Sequence, residues 1–363
     1  MAFGMLAAGA LLPGSARLEA QLPVLRAGAR GEAVALLQVE LTNREFSPGA
    51  IDGRFGRLLR EALRDWQRSR GLGVDGVAGP RVWRELGLEP AGPAPASPEP
   101  ETGAGIARTA FREAVVTPSD TAGLRPVPEA PPEQAQLERL PYETVLERLA
   151  ERHQTAAAYL AEINPSAAWP NPAPGTRLRV PAVRFETEVD RGATGDPDAA
   201  AAGDSAAGAS PDSALMLRRR AWEQRAPEGV ELRVSTRGHV VRLYEGGKLV
   251  ARYPATVGSR EFPNPRGRWR IVSQVFAPDY RYDERYLETG ERSEHALRLP
   301  PGPNNLVGLM WMGLDEAGYG LHGTDEPETI GAAESHGCVR LTNWDAERLS
   351  RRVGIGTPVT IGR

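Results

Sequence analysis

The stretch Ser335-His336-Gly337-Cys338-Val339-Arg340 contains the only cysteine of the chain, and Leu321-His322-Gly323-Thr324 lies shortly before it. Because there is no second cysteine, Cys338 cannot form a disulfide within the chain, and its thiol is free to react. A cysteine attacks as its thiolate, and its pKa of about 8.5 falls when a histidine lies beside it. Each stretch supplies one histidine, and the glycine before the cysteine allows a tight turn whose N–H groups face a developing oxyanion. The pattern predicts an activated nucleophile.

The two stretches resemble the L,D-transpeptidase family (the YkuD-type catalytic domain), which remodels bacterial peptidoglycan. In that family a histidine in a His-Gly-Thr-like segment precedes a Ser-His-Gly-Cys-[Val/Ile]-Arg motif, and here His322 lies 16 residues before Cys338. Three other stretches are similar to family segments: Asn264-Pro265-Arg266-Gly267-Arg268-Trp269, Pro303-Asn304-Asn305-Leu306-Val307-Gly308 and Gly354-Ile355-Gly356-Thr357-Pro358-Val359-Thr360-Ile361. The resemblance covers residues 229 to 363 and implies a mainly β catalytic domain.

The resemblance also implies a reaction. Cys338 attacks the carbonyl that joins the L-centre of a diamino acid at the third stem position to D-alanine at the fourth, and His322 takes the thiol proton and returns it to the departing amine. In the family a backbone carbonyl just after that histidine orients the ring, and the matching residue here is Gly323. An amine of a second stem then resolves the thioester and forms a 3→3 cross-link. No metal or organic cofactor is required.

The loop around the cysteine supplies the other candidate residues. The resemblance implies that the N–H groups of Gly337 and Cys338, together with His336, hold the oxyanion. We expect Ser335 to hold the loop by side-chain hydrogen bonding. Two roles stay open for Arg340: it binds a substrate carboxylate in a bidentate manner, or it braces the loop through an ion pair.

Other interpretations of these residues stay open. A free cysteine is most often a small buried apolar residue. His322, His336 and Cys338, with Glu334 or His295 as a fourth ligand, have the residue types of a zinc site, although zinc clusters usually show tighter paired spacing. An L,D-carboxypeptidase uses water instead of an amine, and that choice depends on water exclusion, which no residue pattern reports. A further alternative is a wall-binding adaptor that has lost its activity, although such a protein has no need of a free thiol.

Length and composition limit the class of protein. A chain of 363 residues is expected to form two or three domains. Its net charge of −3 gives no general basic field, which argues against a nucleic-acid partner. Residues 1–22 contain an apolar run followed by small residues, as in a signal peptide, but they lack its basic start. We expect a possible leader remnant there, no transmembrane segment in the mature chain, and a periplasmic or otherwise extracytoplasmic location at the cell wall.

The sequence of residues 23–88 predicts a compact unit of three helices. Apolar side chains recur at helical spacing in Glu32–Thr42 and again from Leu59 to Trp66, and Pro80 suits the first position of a third helix. The unit resembles the three-helix peptidoglycan-binding domain, with an Asp-Gly turn before the second helix and another before the third. The resemblance implies that peptidoglycan, with its stem peptides and glycan strands, is the partner.

The rest of the chain completes a multidomain organisation: a small all-α three-helix N-terminal domain, a short α/β lysin-motif-like middle segment and a mainly β C-terminal catalytic domain. Composition predicts a Pro/Ala-rich linker over residues 89–136 and a low-complexity linker over 184–226. Between them, 137–183 is similar to a lysin motif, a small βααβ glycan-binding module, although the usual Gly-Asp-[Thr/Ser] of its first strand is missing. The catalytic domain is predicted to begin at residue 227.

Overall fold

A computed structural model describes residues 22–88, 109–184 and 225–363, which form three units packed against one another. The predicted leader, the first part of the predicted linker over 89–136, and most of the linker over 184–226 lie outside the described residues. Within the three described ranges, no helix is long and apolar enough to cross a membrane.

The N-terminal unit contains three helices, as the sequence predicts. They are α1 (Glu32–Thr42), α2 (Arg57–Ser69) and α3 (Pro80–Glu85). Their apolar side chains surround Trp66, which is fully buried. The two Asp-Gly turns are fixed alike: the carboxamide of Gln38 donates to Asp52, and that of Gln67 donates to Asp75, each over 2.7 Å. Each turn therefore depends on a glutamine of the preceding helix.

Helix α1 is buried on two faces. One face, with Val34, Leu37 and Leu41, packs inside the N-terminal unit. The opposite face, with Leu36 and Val39, packs against the middle unit. A helix that is apolar on both faces belongs in the interior of a larger structure, so the N-terminal unit is built to pack against a neighbour.

The middle unit is a two-stranded antiparallel sheet covered by helices. Strand β1 (Phe111–Val115) pairs with β2 (Arg177–Pro181), and Leu178 and Val180 of β2 are buried. Four helices lie between these strands in the chain: α4 (Pro118–Thr121), α5 (Pro131–Gln134), α6 (Val145–Arg152) and α7 (Ala157–Glu162).

This unit differs from the sequence prediction in one respect. The prediction of a linker over 89–136 is wrong from residue 109 onward, because β1 and two short helices lie there, and the unit begins well before residue 137. The cause is the long separation between the paired strands: Ala114 lies opposite Leu178, and local periodicity carries no signal for such a pairing. The likeness to a lysin motif stays a prediction.

The C-terminal unit is built on one curled mixed sheet of eight strands. The strands of the whole unit are β3 (Val230–Ser235), β4 (Val240–Glu245), β5 (Lys248–Pro254), β6 (Val257–Gly258), β7 (Gly267–Phe276), β8 (Tyr280–Tyr282), β9 (Leu297–Leu299), β10 (Met310–Leu314), β11 (Gly320–His322), β12 (Glu334–Ser335), β13 (Val339–Arg340) and β14 (Pro358–Gly362). The order in the large sheet is β13-β11-β10-β7-β14-β3-β4-β5, and β6–β12 and β8–β9 form separate pairs.

Two helices complete the unit, α8 (Glu284–Thr289) and α9 (Asn343–Ser350). Helix α9 packs Ala346 and Leu349 against the sheet core. Its N-cap is Thr342, whose side chain accepts a hydrogen bond from the N–H of Asp345 over 3.2 Å. Because α9 follows β13 directly, its first residues lie next to the end of β11.

The N-terminal unit covers one edge of the large sheet, at strand β5. Ser47 donates its N–H to the carbonyl of Arg252 on β5, and Arg252 donates its N–H to the carbonyl of Glu45. An uncovered edge strand invites pairing with another chain, and this segment removes that hazard. Below it, the carboxylate of Asp65 on α2 pairs with Arg242 over 2.8 Å and with Arg252 over 3.3 Å.

These charges are buried at the interface between the two units. The side chains of Asp65 and Arg252 are 3% and 1% exposed. Burial lowers the pKa of Arg252 to about 10, and the negative charge of Asp65 opposes that shift. The guanidinium therefore stays protonated at neutral pH, and it depends on Asp65 for compensation.

We predict that Asp65→Asn lowers the free energy of unfolding by about 3 kcal/mol, because it leaves two guanidiniums at the interface without their carboxylate. Urea unfolding followed by tryptophan fluorescence measures this. The control is Glu61→Gln on the same helix, because the side chains of Glu61 and of its partner Arg64 are 40% and 34% exposed. We expect the free energy of unfolding to fall by less than about 1 kcal/mol in this control. Equal losses in both variants would contradict a structural role for the buried cluster.

Candidate active site

Parallel pairing of β11 with β13 brings the two sequence motifs together. Leu321 lies opposite Val339, and His322 lies opposite Arg340. Cys338 comes directly before β13, so it lies beside Gly320 at the start of β11, while Arg340 lies beside His322 at the end of that strand. Strand β13 is an edge strand of the sheet, and the side chains of His322 and Cys338 line the same cavity there.

The ring of His322 is held in one orientation. Its Nδ1 lies 2.7 Å from the carbonyl oxygen of Gly323, and the indole of Trp311 stacks on the ring with 5.5 Å between centroids. A carbonyl oxygen only accepts hydrogen bonds, so Nδ1 carries the proton. In the neutral ring the lone pair is then on Nε2, which is the state that can accept a proton from a thiol.

The carboxamide of Asn343 fixes the segment that follows His322. Its Oδ1 accepts from the N–H groups of Leu309 and Thr324 over 3.0 and 3.2 Å. A Cβ on Gly323 would lie 2.1 Å from that oxygen, so only glycine fits at this position. Neither sequence motif includes Asn343. It lies three residues after Arg340, the last residue of the cysteine motif, and this nearness is the one signal that the sequence offers.

The cysteine loop is fixed through its carbonyl groups. Ser335 Oγ donates to the carbonyl of Cys338 over 2.5 Å. Asn264 Nδ2 donates to the carbonyl of Gly337 over 2.7 Å and to that of Cys338 over 3.2 Å. Gly337 has φ +100°, which favours glycine, and a Cβ there would lie 2.8 Å from the ring of Tyr319. Both the backbone conformation and the lack of space therefore require a glycine at this position. Asn264 is a second residue whose role the sequence did not reveal.

This arrangement leaves backbone donors available. The C=O and N–H of a trans peptide point in opposite directions, so the bond from Asn264 to the carbonyl of Gly337 directs the N–H of Cys338 away from Asn264. Within ranges 22–88, 109–184 and 225–363, the N–H groups of Gly337 and Cys338 have no hydrogen-bond acceptor. Two adjacent free donors beside a thiol are the elements of an oxyanion hole.

The imidazole of His322 and the thiol of Cys338 are both neutral at pH 7. Burial, reinforced by the positive charge of Arg340, lowers the pKa of His322 to about 3. Burial also raises the pKa of Cys338 to about 11, although the N–H of Gly320 and the charge of Arg340 oppose that shift. The thiol pKa therefore does not fall below its ordinary value as the sequence motif suggested, because a neutral imidazole offers the thiolate no charge.

A cavity of about 600 Å³ opens in front of the cysteine. Cys338, His322 and Arg340 line it, together with Tyr280 of β8 and Tyr286 of α8. Burial raises the pKa of Tyr280 to about 12, so its phenol stays protonated. The volume is in the range of sites that enclose a small peptide or a drug-sized ligand.

The other candidate residues occupy distinct positions. His336 also lines the cavity, but its ring is exposed and packs against Phe262 at 5.0 Å between centroids. His295 does not line the cavity. In the part of the chain that the structure describes, no three His, Cys, Asp or Glu side chains are grouped so as to hold a metal ion.

Comparison with known proteins gives the family. Residues 229–361 match the L,D-transpeptidase catalytic domain family YkuD, and residues 30–86 match the family described as "Putative peptidoglycan binding domain". A Bacillus licheniformis protein named "Putative L,D-transpeptidase YkuD" is 34% identical over 139 residues, which are 38% of this chain and 69% of that protein. The protein of the same name from Bacillus subtilis is 31% identical over 36% of this chain and 64% of its own length. The chain belongs to the L,D-transpeptidase family.

Similarity to solved structures is confined to part of each chain. An L,D-transpeptidase from Mycobacterium smegmatis is 22% identical with a TM-score of 0.31, over 37% of this chain and 59% of that one. L,D-transpeptidase 3 from Mycobacterium tuberculosis, in complex with a faropenem-derived adduct, is 21% identical with a TM-score of 0.31, over 37% and 60%. The chain thus spans about three fifths of the structures that it matches.

We predict that alkylation of Cys338 by iodoacetamide accelerates about tenfold per pH unit from pH 7 to 9, because the thiolate fraction rises that steeply below a raised pKa. Mass spectrometry of quenched samples gives the rate. The control is the same protein unfolded in urea, whose curve should level off near the ordinary thiol pKa of about 8.5. A plateau in the folded protein between pH 6 and 8 would instead indicate a preformed thiolate–imidazolium pair.

Proposed function

We propose that this protein is a cysteine acyltransferase that cross-links peptidoglycan, with Cys338 as nucleophile and His322 as base. The family supports the reaction class, and one observation carries the assignment of roles. The hydrogen bond from Nδ1 of His322 to the carbonyl of Gly323 leaves a lone pair on Nε2, at the edge of the sheet where the only thiol of the chain lies.

The donor is a stem tetrapeptide. As the sulfur of Cys338 bonds to the carbonyl carbon between the third and fourth residues, its proton passes to Nε2 of His322. Collapse of the tetrahedral intermediate breaks the C–N bond, and Nε2 gives that proton to the amine of the departing D-alanine. An amine of a second stem then attacks the thioester and loses a proton through Nε2, which restores the thiol and leaves a 3→3 cross-link.

A neutral resting pair suits this sequence of steps. Because burial keeps both groups uncharged, charge develops only as the thiol proton moves to His322. The free N–H groups of Gly337 and Cys338 then donate hydrogen bonds to the substrate oxygen, on which the negative charge develops. Donors that are fixed before the reaction stabilise the transition state without reorganisation.

Arg340 is proposed to bind a substrate carboxylate. It lines the cavity, its Nε is buried without a hydrogen-bond partner, and no carboxylate among the described side chains lies within ion-pair distance of it. These facts favour a substrate partner over the alternative of a loop brace. The donor stem offers such a group in the carboxylate of its terminal D-alanine, and a bidentate guanidinium contact fixes both position and orientation.

The match of residues 30–86 supports peptidoglycan as the partner of the N-terminal unit, and hence action outside the cytoplasm, in the periplasm or at the cell wall. We propose that the bound polymer is contacted through both its stem peptides and its glycan strands. In this view the N-terminal unit holds the polymer while the neighbouring catalytic unit acts on its stems.

The decisive experiment incubates the full chain with isolated disaccharide-tetrapeptide and follows the products by mass. A cross-linked dimer with free D-alanine supports the proposal. Disaccharide-tripeptide with free D-alanine, and no dimer, identifies an L,D-carboxypeptidase instead. No change in the substrate, with a reduced thiol and a folded protein, identifies a wall-binding protein without this activity.

We expect Cys338→Ala to lower D-alanine release below about one thousandth of the unmodified rate, because no second thiol can replace it. His322→Ala should cost about as much, since the thiol then loses its proton acceptor. The matched control is His336→Ala, whose exposed ring should matter less, with a loss of about tenfold or less. A larger loss for His336→Ala than for His322→Ala would exchange the two roles.

A carbapenem is expected to acylate the protein once per chain, at Cys338, because its β-lactam carbonyl offers the thiol the same electrophile as the stem peptide. Intact-mass analysis measures the adduct, and Cys338→Ala is the control that should stay unmodified. An unmodified wild-type mass, with the thiol confirmed as reduced, would count against Cys338 as the nucleophile.

A further inference from the structure

The N-terminal unit touches the loop that carries the nucleophile. Residues 323–337 connect His322 to Cys338, and this connection includes the 3₁₀ turn Pro327–Thr329 and strand β12. Near its midpoint, the carbonyl of Gly331 accepts a hydrogen bond from Nη2 of Arg57 over 2.5 Å. Arg57 is the first residue of α2, so a peptidoglycan-binding unit and a catalytic loop share a direct contact.

The contact is close as well as polar. Gly331 has φ +78°, and a Cβ there would lie 3.1 Å from Leu58 Cδ2 and 3.4 Å from Arg57 Nη2. The backbone of the loop therefore lies directly on the first turn of α2. A cleft of about 420 Å³ opens beside this contact, lined by both units, so solvent reaches the guanidinium.

The side chain and backbone of Thr256 link Gly331 to Arg340 in the active site. The hydroxyl of Thr256 accepts from the N–H of Gly331 over 3.1 Å and donates to the carbonyl of Thr329 over 3.4 Å. The backbone of Thr256 exchanges both of its hydrogen bonds with Arg340, each over 2.9 Å. Arg340 lies opposite His322 in the β11–β13 pair.

We propose that Arg57 is a positioning residue for the cysteine loop, so that the N-terminal unit forms part of the catalytic machinery as well as a binding module. This rests on the proposed function of Cys338 and His322. Arg57 touches neither residue and acts through Gly331 and Thr256. Without it, the middle of the loop loses its one side-chain hydrogen bond to α2 among the described residues, and only the apolar contact with Leu58 remains.

The test compares Arg57→Ala with Arg60→Ala on a soluble disaccharide-tetrapeptide, which needs no anchoring to the wall. Arg60 lies one turn further along α2 and packs near Gly76, away from the loop. We expect Arg57→Ala to lower kcat about tenfold with KM unchanged, because small displacements of a reacting group are costly. Arg57→Lys, which can still donate to the carbonyl, should restore most of the rate, and Arg60→Ala should match the wild type.

Hydrogen exchange of residues 325–338 gives a readout that does not require turnover. We expect faster exchange in Arg57→Ala than in Arg60→Ala, at equal melting temperatures. Unchanged exchange together with kcat values within twofold of each other would overturn the proposal, as would a rise in KM at constant kcat. If the wild type itself has no activity, the assigned reaction fails, while the exchange data still decide whether Arg57 holds the loop.

Discussion

The hydrogen bond between Nδ1 of His322 and the carbonyl of Gly323 is the constraint on which the active site depends. It fixes the tautomer, and with the stacked indole of Trp311 it fixes the direction of the free lone pair. That carbonyl holds its place because the carboxamide of Asn343 binds the adjacent backbone. A change at Asn343 would therefore reach the imidazole through the backbone, without touching the ring or the thiol.

The same carboxamide joins the active site to the rest of the molecule. Asn343 Nδ2 donates to Glu151 of the middle unit over 3.0 Å, and the carboxylate of Asp345, two residues further on, accepts from Ser47 of the N-terminal unit over 2.6 Å. Helix α9 thus receives contacts from both other units at the end that lies next to β11. Together with the contact from Arg57 to Gly331, this indicates that the catalytic unit is held from two sides.

Local patterns in the sequence predict the helices and strands well where apolar spacing is regular, as in α1, whose bounds are those expected. The motif likewise predicts that Cys338 and His322 act together, and in the structure both side chains line one cavity. Strand β1 was missed because its partner lies far along the chain. Asn264 and Asn343 were missed because an asparagine that holds backbone groups in three dimensions leaves no periodic signal.

The protonation state of His322 tests the account most directly. Nitrogen-15 NMR of the histidine-labelled protein at pH 7, with His322→Ala used to assign the signals, reports each ring nitrogen separately. The account predicts a neutral ring with the proton on Nδ1 and an unprotonated Nε2, since burial lowers its pKa to about 3. A ring protonated on both nitrogens, or a proton on Nε2 alone, would contradict it.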